Sequence, residues 1–320
     1  MVKRVTDTLT ETIPFVANKQ KSIDLPTQGF ITRIELLLHL NVTTDSGGAT
    51  PNEDALARLI RSMRIEYPGR KTYFAIPDGR LLKYKNYIDL KQVAEDDLPT
   101  SASVTQDVYA KYNIYWGLNP KDPFDPSVVV PAERLSNLRL SVLWGDATDL
   151  GTGYTINNGE IIVTIRRYDL EYSGERAFEK LVEPRMESAE KSIDEIKSDL
   201  GFQINVPIGL VLRETLILIT DSADNRSDSE VEEYGVIFTK LDQTPYKVNW
   251  KSHVRELYED LKLKEQIAGL GVLYWRNIAR HGEELGFDAS RYKFGDIALG
   301  FTTAQTGGKI RAIFYQLAPV

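Results

Sequence analysis

The sequence predicts an all-β protein with short helices, arranged as two tandem sandwiches. The main observation is a repeat. The segment Ile23 to Leu38 (IDLPTQGFITRIELLL) returns as Ile204 to Leu218 (INVPIGLVLRETLIL), with Gly29, Arg33, Leu36 and Leu38 recurring 180 residues later as Gly209, Arg213, Leu216 and Leu218. Weaker echoes follow in the same order. Asp89-Leu-Lys91 matches Asp260-Leu-Lys262, Ile114-Tyr-Trp116 matches Leu273-Tyr-Trp275, Phe124 to Ser127 matches Phe287 to Ser290, and Tyr168-Asp-Leu170 matches Tyr315-Gln-Leu317. Internal self-similarity at long period marks a duplicated unit. The second observation is length: 320 residues exceed what one core usually supports. The third is texture, many short alternating runs separated by turn residues, which indicates sandwiches or barrels.

Residues 1–20 are polar and irregular and read as an N-terminal arm. From Ile23 to Leu40 the pattern is that of a strand, with Ile34, Leu36, Leu38 and Leu40 on one face and Glu35, Leu37 and His39 on the other. Thr50 and Glu53 form a capping-box pattern, echoed by Ser229 and Glu232. Pro51 suits a first helical position, and Ala55, Leu56, Leu59, Ile60 and Met63 would make the apolar stripe of a short helix. Strands are expected near 63–67, 71–76, 108–116, 138–144 and 160–172, with a turn at Pro77 to Gly79 and a Pro-rich loop from Asn119 to Pro126. The first unit therefore spans 21–173.

Pro184 opens a helical pattern in which Met186, Ala189, Ile193, Ile196 and Leu200 recur at spacings of three and four, with Glu187 and Lys191 as an i,i+4 pair and Gly201 as the stop. Residues 174–200 are thus expected to form a helical connector. The second unit is 201–320, with helices near 252–267 and 272–281 and strands at 294–303 and 309–317.

Composition excludes several functions. A net charge of −7 argues against a dedicated nucleic-acid binder. With no cysteine there is neither a disulfide framework nor a cysteine zinc site. No run reaches the roughly 18–20 apolar residues of a membrane-spanning helix, and the N-terminus lacks the apolar stretch of a secretory signal, so a soluble chain made without a leader is expected.

The residues able to carry chemistry are few. His39, His253 and His281 show no metal-ligand spacing and read as a strand-face polar residue, a residue beside the helix cap Ser252, and a helix C-terminal cation. The pairs Asp96-Asp97, Glu232-Glu233 and Glu283-Glu284 are adjacent acids, which point to opposite faces in a strand and suit no catalytic dyad. The loop Asp221 to Asp228 is oxygen-rich, as calcium requires, but has no recognised loop spacing and reads as a polar turn. Arg58, Arg61 and Arg64 form a basic row at threes, read as a solvated helix face. The sequons at Asn41 and Asn225 read as coincidence. Most tyrosines and tryptophans fall in strand patterns, as core residues would. No catalytic, cofactor-binding or metal-ligating residue is assigned, and no cofactor.

The opening strand Pro26 to Ile34 with its echo at Pro207 to Arg213, the segment Ala55 to Ile65, and a helical connector between duplicate units together resemble the double-jelly-roll major capsid proteins of tailless icosahedral viruses, the lineage of tectiviruses, turreted archaeal viruses and adenoviruses. The resemblance implies two eight-stranded jelly rolls, homotrimers, and a non-enzymatic shell role. It also implies a place in the virion capsid after assembly in the host cytoplasm. Its partners would be further copies of the chain, penton and minor capsid proteins, and an internal membrane or genome reached by the arm with Lys3, Arg4, Lys19 and Lys21. No C-terminal membrane-spanning tail or long tower insertion is present, which implies a plain shell subunit. A closed three-fold ring of two-lobed subunits presents six similar lobes, and approximate hexagons tile a surface. An accessory spike or tail protein, and a two-sandwich glycan-binding or glycan-cleaving protein, are the alternatives.

Overall fold

The computed structural model describes residues 4–67, 71–91, 97–117, 128–132, 135, 137–170, 182–278 and 286–319. The chain divides into two compact units, Met1–Arg185 with Pro319–Val320, and Met186–Ala318.

Among the described residues the first unit contains ten strands: β1 (Arg4–Pro14), β2 (Gln20–Asp24), β3 (Phe30–Thr44), β4 (Thr50–Pro51), β5 (Ile60–Tyr67), β6 (Lys71–Ile76), β7 (Thr105–Tyr115), β8 (Arg139–Trp144), β9 (Gly151–Thr152) and β10 (Tyr154–Leu170). Its helices are α1 (Ala55–Arg58), α2 (Gly79–Leu90) and α3 (Ala147–Leu150). Two antiparallel four-stranded sheets carry it, in the orders β1-β10-β3-β7 and β2-β8-β5-β6. Alternation decides what is buried. On β3, Ile34, Leu36, Leu38, Leu40 and Val42 are fully or almost fully buried, whereas Glu35, Leu37 and His39 are only half-buried. Their cross-strand partners Ile114, Tyr112, Ala110 and Val108 on β7, and Ile165, Val163 and Ile161 on β10, are buried with them.

Among the described residues the second unit contains β11 (Val182–Ser192, which crosses the boundary), β12 (Phe202–Asn205), β13 (Val211–Thr220), β14 (Val231–Phe238), β15 (Gln243–Asn249), β16 (Leu270–Tyr274), β17 (Phe287–Asp288), β18 (Ile297–Thr303) and β19 (Lys309–Pro319), with one α-helix, α4 (Trp250–Asp260). Its sheets run β11-β19-β13-β16, with the short β17 paired to β13, and β12-β18-β14-β15. Without the two-residue strands β4, β9 and β17, each unit has eight described strands, and their order in both pairs of sheets is first-eighth-third-sixth and second-seventh-fourth-fifth. The duplication thus extends to topology. The second core gathers Phe202, Ile204, Leu212, Ile217, Tyr234, Val236, Trp250, Trp275, Leu299, Phe301 and Phe314.

Two expected elements are corrected, and they are the same element in the two copies. The stretch expected as an arm, residues 1–20, contains β1, whose whole length from Arg4 to Pro14 pairs with Leu170 to Glu160 on β10. The stretch expected as a helical connector, 174–200, contains β11, and Met186, Ala189 and Lys191 lie on an extended strand. Both are first strands at a sheet edge, where pairing with the neighbour, not an apolar stripe, fixes the conformation. The i,i+4 pair expected of Glu187 and Lys191 is absent. Lys191 instead lies over the Phe202 ring at 4.3 Å and donates to Gln203 O at 3.0 Å.

The helix expected after Thr50 shrinks to the four residues of α1. Ile60 and Met63 belong to β5, and Asp54 rather than Thr50 precedes the helix. Ser229 caps no helix either, since β14 starts at Val231. The helix expected near 272–281 starts in a strand instead, since Val272 to Tyr274 belong to β16. The expected strands 71–76, 138–144 and 309–317 correspond to β6, β8 and β19. The Pro-rich loop 119–126 lies outside the described residues. Helix α2 was not expected. Its N-cap Asp78 accepts from Arg80 N at 2.9 Å and pairs with the fully buried Arg80 guanidinium at 2.6 Å.

Candidate functional site

The histidines are occupied locally. On the outer face of β3, His39 Nε2 lies 3.1 Å from Asp107 Oδ1, and its ring stacks on Tyr109 at 4.8 Å. Hydrogen bonds from Asn41 and His39 hold the Asp107 carboxyl below its usual range. Along the same face, Arg33, Arg166 and Lys111 surround Glu35, with Arg166 Nε at 3.0 Å. Burial pushes that carboxyl up, but the Arg166 hydrogen bond and the three cations outweigh it and leave it lowered. This face is a network of ion pairs and hydrogen bonds.

His253 is buried on α4, which Asn249, not Ser252, caps by accepting from Ser252 N. Its Nε2 is 3.2 Å from the Tyr234 hydroxyl, and its ring packs 4.8 Å from that of Tyr234. Burial depresses its pKa to about 4, against the opposing effect of a hydrogen bond to the Val272 backbone. His281 lies outside the described residues, as do Asp96 and the pair Glu283-Glu284.

The oxygen-rich loop spends its carboxylates on the protein itself. Asp221 accepts from Ala223 N at 2.9 Å and Asn225 N at 2.8 Å. Asp224 accepts from Thr220 and Arg311, and Asp228 from Trp250 Nε1 at 2.9 Å and Gly269 N at 2.7 Å. Among the described residues no three His, Asp or Glu side chains converge as metal ligands. An open cavity of about 510 Å³ beside this loop is lined by Asp228, Glu232, Glu233, Asn249 and Lys251. Glu233 is held there by Lys247 at 2.8 Å, so the cavity has no free convergent set. The arginine row does not share a helix: Arg58 ends α1, while Arg61 and Arg64 are exposed on β5, where Arg61 binds Asp149 at 3.1 Å.

All four tryptophans, Trp116, Trp144, Trp250 and Trp275, are buried with their indole N–H groups bonded inside the protein. None is available as a stacking platform for a sugar.

Sequence reasoning missed two kinds of residue. One is the buried ionic group. Arg311 on β19 is 4% exposed and reaches Glu190 Oε2 at 2.7 Å, Asp224 Oδ1 at 2.9 Å and Thr220 Oγ1 at 3.1 Å, tying β11, β13 and the 221–226 turn together. The other is the exposed apolar side chain, such as Leu241 and Phe294, at 54% and 73% exposure. Both flank charged residues in turns, where no periodicity announces them.

No protein-family model matches the chain, and no curated protein matches it in sequence. Solved structures do match in fold. The STIV MCP superposes with a TM-score of 0.79 over 99% of this chain and 97% of its own, at 16% identity. The chain from the atomic structure of Sulfolobus Turreted Icosahedral Virus gives 0.81, 99% and 91%, at 17% identity. The major capsid protein P2 from Bacteriophage PM2 gives 0.59 over 98% of both chains, at 11% identity. Two sandwiches of one strand order, matched end to end by these structures, make this chain a double jelly roll, the fold of viral major capsid proteins.

Proposed function

We propose that this chain is a major capsid protein, a structural shell subunit that forms pseudo-hexagonal trimers of an icosahedral virion. The observation that carries this reading is the repetition of one eight-strand order in both units of a chain that capsid proteins match over nearly its whole length. Three such chains around a closed heterologous ring would present six similar lobes. The inexact repeat suits lobes that meet different neighbours. In this reading the role is structural rather than catalytic.

In this reading the partners are other copies of the chain, then penton and minor capsid proteins, in a shell assembled in the host cytoplasm. Any contact of this segment with an interior membrane or genome would be made by a paired strand and not by a free arm, because Arg4–Pro14 pairs with β10.

The test is the mass of the purified protein by light scattering over a concentration and salt series. The reading expects a stable species at three times the 36.2 kDa chain, or growth into large regular particles. A monodisperse monomer under every condition would refute it.

A further inference from the structure

In the second unit successive strands cross the sandwich in alternating directions, so the connections β12–β13, β14–β15 and β16–β18 meet at one end. Hydrogen bonds confirm the meeting. Thr239 N donates to Asp296 O at 3.0 Å, Gly209 N to Ala289 O at 3.2 Å, and Ala289 N to Leu210 O at 3.1 Å. Beneath these turns Phe238 stacks on Phe287 and on Tyr292, each at 5.7 Å. The turns themselves are tight, with Asp242 at φ 48° and Gly295 at φ 87°.

Each of two tips on this foundation pairs one exposed apolar side chain with one lysine: Lys240 with Leu241, and Lys293 with Phe294. Two of the acids nearby are turned back into the protein. Asp296 accepts from Lys293 N at 2.9 Å, and Asp288 accepts from Ser290 N at 2.9 Å and pairs with Arg291 at 3.7 Å. Asp242 remains beside Lys240. Neither ammonium has a partner among the described residues, and Ile208 and Leu210 add half-buried apolar surface behind the tips.

We propose that this end of the second sandwich is a docking surface for an anionic lipid bilayer, with Leu241 and Phe294 entering the interface and Lys240 and Lys293 meeting lipid phosphates. A rigid aromatic or aliphatic tip with a snorkelling cation beside it matches the layered chemistry of a bilayer surface, which is apolar just below and anionic just above.

The experiment is co-flotation of the full chain with vesicles of phosphatidylcholine alone or of phosphatidylcholine with phosphatidylglycerol. Binding is expected to the anionic vesicles, to weaken at least about tenfold on the neutral ones, and to be lost in the double variant Leu241→Ser/Phe294→Ser. Lys240→Glu/Lys293→Glu is expected to lose the preference for anionic lipid. Ile196→Ser, an exposed apolar position in the β11–β12 connection at the opposite end, should float as the unaltered chain does. No flotation with either vesicle, or unchanged flotation of the serine double variant, overturns the proposal. So does a fall in the lipid-free mass of that variant, which would make the tips a contact between copies. The trimer measurement uses no lipid, so its failure and the failure of this proposal are separable.

Discussion

Gly29 and Gly209 hold the same position in the two halves of the molecule, each with positive φ (69° and 96°) just ahead of the third strand of its sandwich. The backbone conformation explains why glycine recurs there, since a side chain in this region costs about 1–2 kcal/mol. The two halves thus keep a local constraint as well as a strand order.

Gly209→Ala tests the constraint cleanly, because a Cβ there would meet nothing within 4 Å. The loss of stability should be about 1–2 kcal/mol from the backbone alone. Gly47→Ala also enters open space, with no positive φ, and should stay within about 0.5 kcal/mol of the parent. Denaturant unfolding of the full chain compares the two.

The buried Arg311 predicts a larger effect. Arg311→Ala strands Glu190 and Asp224 around an empty fork, and breaking a buried ion pair costs about 3–5 kcal/mol. Both acids keep partial solvent access, so about 2–3 kcal/mol is expected. Arg311→Lys keeps the charge without the planar fork that serves three partners, and should recover only part of the loss. Thermal unfolding of the three proteins ranks them.

Asp78 serves α2 twice, as N-cap and as counter-ion to the fully buried Arg80. Asp78→Asn can still cap but no longer neutralises the guanidinium. A loss of about 3 kcal/mol is expected, well above the few tenths of a kcal/mol that separate Asn from Asp as caps. Equilibrium unfolding measures it, and a change below about 1 kcal/mol would contradict the pairing.

His253 sets a pH dependence. Its folded pKa of about 4 lies below the ordinary histidine value of 6.5, so the unfolded chain takes up the proton first. Its contribution is fully present above about pH 6.5 and is lost as pH falls toward 4, a drop on the order of 3 kcal/mol. Other groups titrate near this window too, among them Glu187, whose carboxyl is pushed up by burial, so the difference between the parent and a His253 variant isolates this residue. His253→Gln should flatten the slope in that window, as read from denaturant midpoints at several pH values.

The legible parts of the fold were the central strands. On β3 and β13 apolar residues alternate or run continuously, and the Gly–Arg–Leu–Leu spacing recurs because both strands lie in the middle of their sheets. The first strands were not legible for the opposite reason. β1 and β11 are edge strands; Met186, Ala189 and Ile193 fall at helical spacing by accident, and the partner strand β19 decides the conformation. The signal available for β1 was the β-branched threonine at every second position, Thr6, Thr8, Thr10 and Thr12, between Val5 and Ile13. Helix α2 escaped because Arg80 and Asn86 are buried, so no polar face marks it as helix. The absence of a catalytic assignment in the sequence rested on scattered histidines. The structure gives each described one a local role, His39 on Asp107 and His253 under Tyr234.

The most direct test of the proposed shell subunit is class averaging of the purified protein by electron microscopy. The account predicts particles with three-fold symmetry and a six-lobed, near-hexagonal outline, and their ordering into sheets or shells at higher concentration. Two-lobed single particles at every concentration, or oligomers of any other symmetry, would contradict it.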